Sequence, residues 1–207
     1  MKKLLFLLFI PFVSFGQLIA TVDENGKKVV LKKDGTWIYQ GQIEKDDYSG
    51  TGIWAINYFV DDFGDPTDKG YIAPSYYIKG TFSNSATTNS ELNVIIIIQS
   101  KSDIAVQLYE YAGDTPVKAY SRDSYNISVK DNSGVKHSMD GVMFEGGNRI
   151  YFDPNRKKDY VSKMHELLAQ EGEITVVITD KKYGLNRYQF KFNANGYNAA
   201  FDKLFGQ

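Results

Sequence analysis

The densest group of side chains that could do chemistry lies at residues 61–68, Asp-Asp-Phe-Gly-Asp-Pro-Thr-Asp. Asp61, Asp62, Asp65 and Asp68 place four carboxylates around a glycine and a proline, and calcium takes its oxygen ligands from such groups. The spacing does not match an EF-hand loop, because the downstream bidentate glutamate is missing. The alternative is a solvated acidic turn in which an aspartate bonds its own backbone. We therefore name these four residues as a calcium candidate, and expect no other cofactor.

A second polar stretch, residues 80–90, is rich in hydroxyl and amide groups. Ser83, Asn84, Thr87 and Asn89 could present hydrogen-bonding groups to a sugar or a peptide at the end of a sheet. The same side chains could instead satisfy the backbone of their own loop. Both interpretations stay open, and the four residues are candidate ligand-binding residues for a saccharide or protein partner.

The sequence has little capacity for transition-metal or nucleophilic chemistry, with two histidines and no cysteine. Residues 165–169, His-Glu-Leu-Leu-Ala, begin like a zinc-protease helix, but Ala169 stands where a second metal-binding histidine is needed. We therefore expect His165 on a helix surface and His137 in a polar hairpin. GxSxG, P-loop and GxGxxG motifs are absent, so no catalytic residue is assigned. A Ser-His-Asp triad assembled across the fold remains the alternative.

The first residues have the pattern of an export signal. Two lysines, an apolar run over residues 4–13 and small residues at Ser14 and Gly16 predict removal of residues 1–16 by cleavage before Gln17. The apolar run is shorter than the roughly 20 residues of a spanning helix. We expect a chain exported to the periplasm or the medium, soluble and without an integral membrane segment.

Charge and cysteine content narrow the class of partner. Two of the 24 basic residues leave with the signal, so 22 remain against 25 acidic ones, a formal net charge of −3. This balance gives no electrostatic reason to expect nucleic acid as a partner. Without cysteine, an exported chain must be held by its core alone, and about 190 residues are enough for that.

The strand expected at the centre of the fold is residues 92–99, Leu-Asn-Val-Ile-Ile-Ile-Ile-Gln. Its five consecutive β-branched apolar residues do not alternate with polar ones, which is typical of a strand covered on both faces. The stiff side-chain torsions of valine and isoleucine favour a sheet over a helix.

The turn signals on either side of this strand predict the domain organisation. Asn-Gly at 25–26 and Asp-Gly at 34–35 predict a three-stranded meander within residues 17–39, followed by a glycine-containing linker over residues 40–52. Residues 53–207 form the main domain. Its strand connections are too short for crossovers, which favours an antiparallel sheet.

Two helices are expected to cover that sheet. Tyr160, Met164, Leu167 and Leu168 share one face of the first helix, whose start is predicted at Asp153-Pro154; Asn195 is predicted to cap the second. We predict a mainly β, antiparallel, sandwich-like domain with one or two covering helices. The alternative is an α+β open antiparallel sheet with both helices on one face.

The sequence of residues 26–39, Gly-Lys-Lys-Val-Val-Leu-Lys-Lys-Asp-Gly-Thr-Trp-Ile-Tyr, resembles a GKKVxLxxDGTWxY element near the start of many exported proteins of Bacteroidetes-type bacteria. The Ser-Phe-Gly-Gln end of the signal is similar to theirs too. The resemblance covers residues 14–39 and implies export and a structural module, with no catalytic residue attached.

These observations predict an exported, non-enzymatic β-domain protein that binds or scaffolds at the cell envelope. One alternative is an exported hydrolase that uses carboxylates or a triad on an envelope or extracellular polymer. A second alternative is a calcium-stabilised binding module.

Overall fold

A computed structural model describes residues 20–22, 28–31, 37–39, 50–152 and 159–206. The predicted signal peptide, most of the predicted linker and the predicted helix start at Asp153-Pro154 lie outside these residues. The chain divides into two units, residues 1–47 and residues 48–207.

The first unit contains a small antiparallel sheet in the order β1-β2-β3. Its strands are β1 (Ala20–Val22), β2 (Lys28–Leu31) and β3 (Trp37–Tyr39). Each predicted turn dipeptide falls between two of these strands, and the register pairs Thr21 with Val29 and Val30 with Ile38.

The second unit contains ten strands, and their pairings are antiparallel. They are β4 (Trp54–Val60), β5 (Pro66–Pro74), β6 (Ile78–Ser83), β7 (Ser90–Ser100), β8 (Asp103–Glu110), β9 (Asp123–Lys130), β10 (Lys136–Met143), β11 (Ile150–Phe152), β12 (Glu173–Asp180) and β13 (Arg187–Asn193). Eight of them, β6 to β13, close into a barrel in the order β7-β6-β13-β12-β9-β10-β11-β8, which the β7–β8 pairing shuts. The β4–β5 hairpin adds two strands, and Ile72 of β5 pairs with Ile98 of β7.

The mainly β, antiparallel class is confirmed, and the sandwich-like arrangement is wrong. A sandwich leaves free edges on each of its two sheets. Here β6 pairs with β13, with Gly80 opposite Phe190, so strands far apart in the sequence join and each barrel strand has a neighbour on both sides. The open α+β sheet offered as the alternative is excluded by the same closure.

The barrel interior is filled by side chains from every barrel strand, which form one hydrophobic cluster. Alternate residues of β7, namely Val94, Ile96 and Ile98, are fully buried in it, and Trp54 and Ile72 of the hairpin extend the cluster. Complete burial of each such side chain stabilises the fold by roughly 1.5–3 kcal/mol. The central strand predicted from the apolar run is therefore confirmed as part of this core.

The first helix, α1 (Tyr160–Ala169), packs onto the barrel core with one face, as predicted. Met164, Leu167 and Leu168 are buried, with Val161 as the fourth buried residue where the sequence predicted Tyr160. The side chain of Asp159 caps the helix and accepts the Ser162 N–H at 2.9 Å.

The second helix, α2 (Tyr197–Phe205), does not have the predicted Asn195 cap. Its N-cap is Gly196, in the left-handed conformation with φ of 83°, and the Asn195 side chain instead accepts the Gly172 N–H at 2.7 Å. A Cβ added to Gly196 would lie 2.1 Å from the Thr51 carbonyl carbon, so two backbones meet here. Among the described helices, we find none with the length and apolar character to span a membrane.

Candidate binding groove

The outer surface of the sheet contains a groove where the β4–β5 hairpin joins β7. Successive side chains of a strand point to opposite faces, so Ile95, Ile97 and Gln99 point away from the lumen that Ile96 and Ile98 fill. The groove encloses about 490 Å³, a size within the range of small-molecule binding sites.

One side of the groove is apolar and aromatic. The rings of Phe59 and Tyr71 lie 5.4 Å apart on adjacent strands of the hairpin, and Ile95 and Ile97 of the neighbouring strand β7 also line the groove. Tyr58 and Phe59, which also line the groove, are 48% and 41% exposed. Exposed apolar surface in a concave site is a feature that small-molecule binding sites share.

The other side of the groove is polar and contains one charged side chain, Arg149. Arg149 directly precedes β11, and its guanidinium Nη1 donates to the Gln99 side-chain oxygen at 3.0 Å. The side chain therefore reaches across β8 to β7, because β8 lies between β11 and β7 in the barrel. Gln107 of β8 adds a neutral amide group to the lining, and Asn57 of β4, which pairs with Tyr71, adds another.

The charge of Arg149 also acts on two neighbouring acids of β8. Burial raises the pKa of Asp103, and the Arg149 guanidinium opposes that rise. Burial, and after it the neighbouring Tyr77, raise the pKa of Tyr109, and the Arg149 guanidinium opposes that rise. One oxygen of Asp103 is buried without a hydrogen-bond partner, and within the described ranges Arg149 forms no ion pair. The guanidinium thus has a nearby opposing charge but no direct carboxylate contact.

The acidic loop predicted to bind calcium forms a backbone-bonded turn. Asp61 Oδ1 accepts the N–H groups of Phe63 and Asp65, each at 2.9 Å. The side chains of Asp62 and Asp68 are exposed, as are those of Asp61 and Asp65. In the part of the chain that the structure describes, no three His, Asp or Glu side chains come together as metal ligands would. Calcium binding at this loop stays a prediction.

The hydroxyl-rich loop between β6 and β7 uses its side chains locally. Asn84 Oδ1 accepts the N–H groups of Ala86 and Thr87, at 2.8 and 3.0 Å. Ser83 Oγ accepts the Asn89 N–H at 3.0 Å, and the Thr87 hydroxyl bonds that of Ser90. These four candidate residues contribute nothing to the lining of the groove, so the structure does not join the two sites.

His137 lies in the β9–β10 hairpin, 2.8 Å from Asp131 through its Nε2. The Ser133 hydroxyl donates to the same carboxylate at 2.7 Å. In a catalytic triad the imidazole lies between the serine and the acid, whereas here the acid lies between serine and imidazole. The hydrogen bonds from His137 and Ser133 lower the pKa of Asp131 to about 2. This group organises a turn and lacks the geometry that activates a nucleophile.

His165 is half-buried, and its predicted place on a helix surface is wrong. The ring packs against Phe201 of α2 at a centroid distance of 5.1 Å, and its Nδ1 forms a hydrogen bond with the Tyr197 hydroxyl. Burial lowers the pKa of His165, which favours the neutral imidazole. The residue joins the two helices.

Sequence reasoning missed the groove because its residues come from separate parts of the chain. Asn57, Tyr71, Ile97, Gln107 and Arg149 share no local motif. One usable signal existed: the absence of alternation over residues 94–98 placed apolar side chains on the outer face as well as the inner one.

No family model, curated protein or solved structure was found to match this chain. The resemblance of residues 14–39 to exported Bacteroidetes-type proteins therefore stays a proposal, and the function must be argued from the groove.

Proposed function

We propose that this chain is an exported, non-enzymatic binding protein whose ligand occupies the outer groove. The observation that carries the proposal is a concavity of about 490 Å³ lined by aromatic and aliphatic side chains, by amides and by a single guanidinium. Small-molecule sites combine a mostly apolar surface with a few placed polar groups in this way.

The placement of the potential catalytic residues supports binding over hydrolysis. His137 bonds a carboxylate that also takes the Ser133 hydroxyl, and His165 is engaged with Tyr197. Neither histidine lines the groove. A hydrolase would need a base within hydrogen-bond reach of its nucleophile or water at a concave site. The envelope or the extracellular medium is the proposed place of action, on the strength of residues 1–16.

The test is a screen of small neutral and charged fragments against the exported chain, with binding mapped by amide chemical shifts. Bound fragments are expected to shift the amides around Tyr71, Ile95 and Ile97. Tyr58→Ala should weaken these fragments about fivefold, because it removes an aromatic contact worth roughly 1 kcal/mol.

Tyr183→Ala is the matched control, since Tyr183 is exposed on the β12–β13 turn and does not line the groove. It should leave fragment affinity unchanged. Fragments that bind elsewhere, or a library without any fragment bound in the groove, would contradict the proposed function.

A further inference from the structure

We propose that the groove takes an amphipathic monocarboxylate, an apolar body with one carboxylate, and that Arg149 holds the carboxylate. This deepens the proposed function and rests on the groove being the binding site. Three features of the groove support it: its charge, the shape of its one cation, and its apolar wall.

The charge on the side chains that line the groove has one sign, positive. Arg149 is the one charged side chain among the groove's lining residues, and no Asp or Glu lines it. A guanidinium placed beside apolar side chains loses hydration and regains it best from an anionic partner. An anionic group is therefore attracted to this site, and a cationic group is repelled.

The shape of the cation favours a carboxylate. A guanidinium has five N–H donors in a plane and pairs bidentately with a carboxylate. Among its described contacts, Arg149 gives one donor to Gln99, which fixes the orientation of the plane. A phosphate with nearly two charges is usually held by more than one cation, whereas this groove offers one.

The apolar wall requires a ligand with a hydrophobic body. Phe59, Tyr71 and Ile95 line the groove and are at least partly exposed, so an ion alone, such as acetate, would leave this surface in water. An aliphatic chain or a ring of about eight carbons would cover it within a volume of about 490 Å³.

The Asp103 carboxylate offers a test of whether the charge of Arg149 contributes to ligand binding. Its carboxylate acts on Arg149 without lining the groove, so it competes at a distance with a bound anion. Asp103→Asn is expected to strengthen anion binding, because it removes the opposing charge and keeps the side-chain size. If Arg149 only supported the fold, Asp103→Asn would leave the ligand affinity unchanged.

The experiment measures the affinity of n-octanoate, n-octanol and n-octylamine for the exported chain, by titration with chemical-shift mapping. Octanoate is expected to bind in the groove at least about tenfold more tightly than octanol, with octylamine weakest. Arg149→Gln should reduce octanoate affinity about tenfold and leave octanol unchanged. Arg122→Gln removes the same charge from a residue that contacts Phe144 instead, and should have no effect.

Equal affinity of the three ligands in the groove would overturn the carboxylate assignment and leave the binding function standing. Tighter binding of n-octyl phosphate than of octanoate would overturn it as well. Octanoate binding that Arg149→Gln does not change, or that Asp103→Asn weakens, would show that Arg149 is structural. If the fragment screen also found no ligand in the groove, the proposed function itself would fail.

Discussion

At the residue scale, the Asp131 carboxylate organises the β9–β10 turn by accepting four hydrogen bonds. They come from the Ser133 N–H and hydroxyl, the Val135 N–H and the His137 Nε2, at 2.7–3.0 Å. These bonds favour the charged carboxylate and lower its pKa to about 2, against an ordinary value of 3.8. The polar hairpin in which His137 was predicted is thus fixed by the side chain of the first residue of its turn.

The depressed pKa of Asp131 predicts a loss of stability in acid. A carboxylate whose pKa is lower in the folded than in the unfolded chain stabilises the fold above pH 3.8 and loses that contribution as the pH falls toward 2. Asp131→Asn should therefore flatten the fall in melting temperature between pH 5 and pH 2. The control is Asp114→Asn, at an exposed loop position, which should keep the wild-type slope.

The acidic loop gives a second prediction at this scale. Asp61 already accepts two backbone N–H groups, and the four carboxylates are exposed and do not converge. We expect the melting temperature of the chain without residues 1–16 to stay constant when millimolar calcium is added or a chelator replaces it. A calcium-dependent rise of several degrees would assign Asp61, Asp62, Asp65 and Asp68 as ligands.

Residue types predicted correctly that the polar stretches form turns. They did not show whether the side chains bind a ligand or the backbone of their own loop. Asn84 and Asp61 have side chains that suit a ligand and suit their own backbone equally, and the structure uses both for the backbone. Arg149 carries no local signal at all, since its neighbours in the groove are 42 or more positions away in the sequence.

At the scale of elements, the start of α2 depends on contact between two backbones. Gly52 and Gly196 both have positive φ, and a Cβ on either would lie about 2 Å from a backbone atom of the opposite segment. The predicted Asn195 cap failed for this reason: no side chain fits at the true N-cap, and Asn195 turns to Gly172. Such a contact joins segments about 140 residues apart and leaves no local trace in the sequence.

Gly196→Ala is expected to destabilise the fold more than Gly184→Ala. Both glycines have positive φ, which costs alanine about 1–2 kcal/mol, but a Cβ on Gly184 meets nothing within 4 Å. Overpacking against Thr51 should add roughly 1–3 kcal/mol for Gly196→Ala. Urea denaturation measures both free energies of unfolding, and equal losses would contradict the close contact.

At the scale of the whole molecule, local signals predicted the strands and not their closure. Turn dipeptides and apolar runs specify hairpins between neighbours, and the class follows from these. Whether the sheet closes depends on the accumulated twist and on one pairing, β6 with β13, between residues more than 100 positions apart. Local turn and strand signals therefore do not distinguish a sandwich from a barrel that is built from the same hairpins.

Export gives the prediction for the whole chain. Cleavage before Gln17 should produce a secreted or periplasmic form that starts at Gln17, and intact-mass measurement detects it. Gly16→Trp should block processing, because the position before the cut requires a small residue, and the uncut form should stay with the membrane fraction. Processing of that variant at the same bond, or retention of residues 1–16 in the wild type, would refute the signal.

The β6–β13 pairing also sets the order in which this protein can finish folding. As the chain emerges from its first residue onward, β6 and β12 remain unpaired on one side until residues 187–193 arrive. The last seam of the barrel therefore closes only after β13 has appeared, more than 100 residues after β6. In the proposed export, this delay would keep the barrel open while the chain crosses a membrane, and its unpaired strand edges would disappear after the crossing.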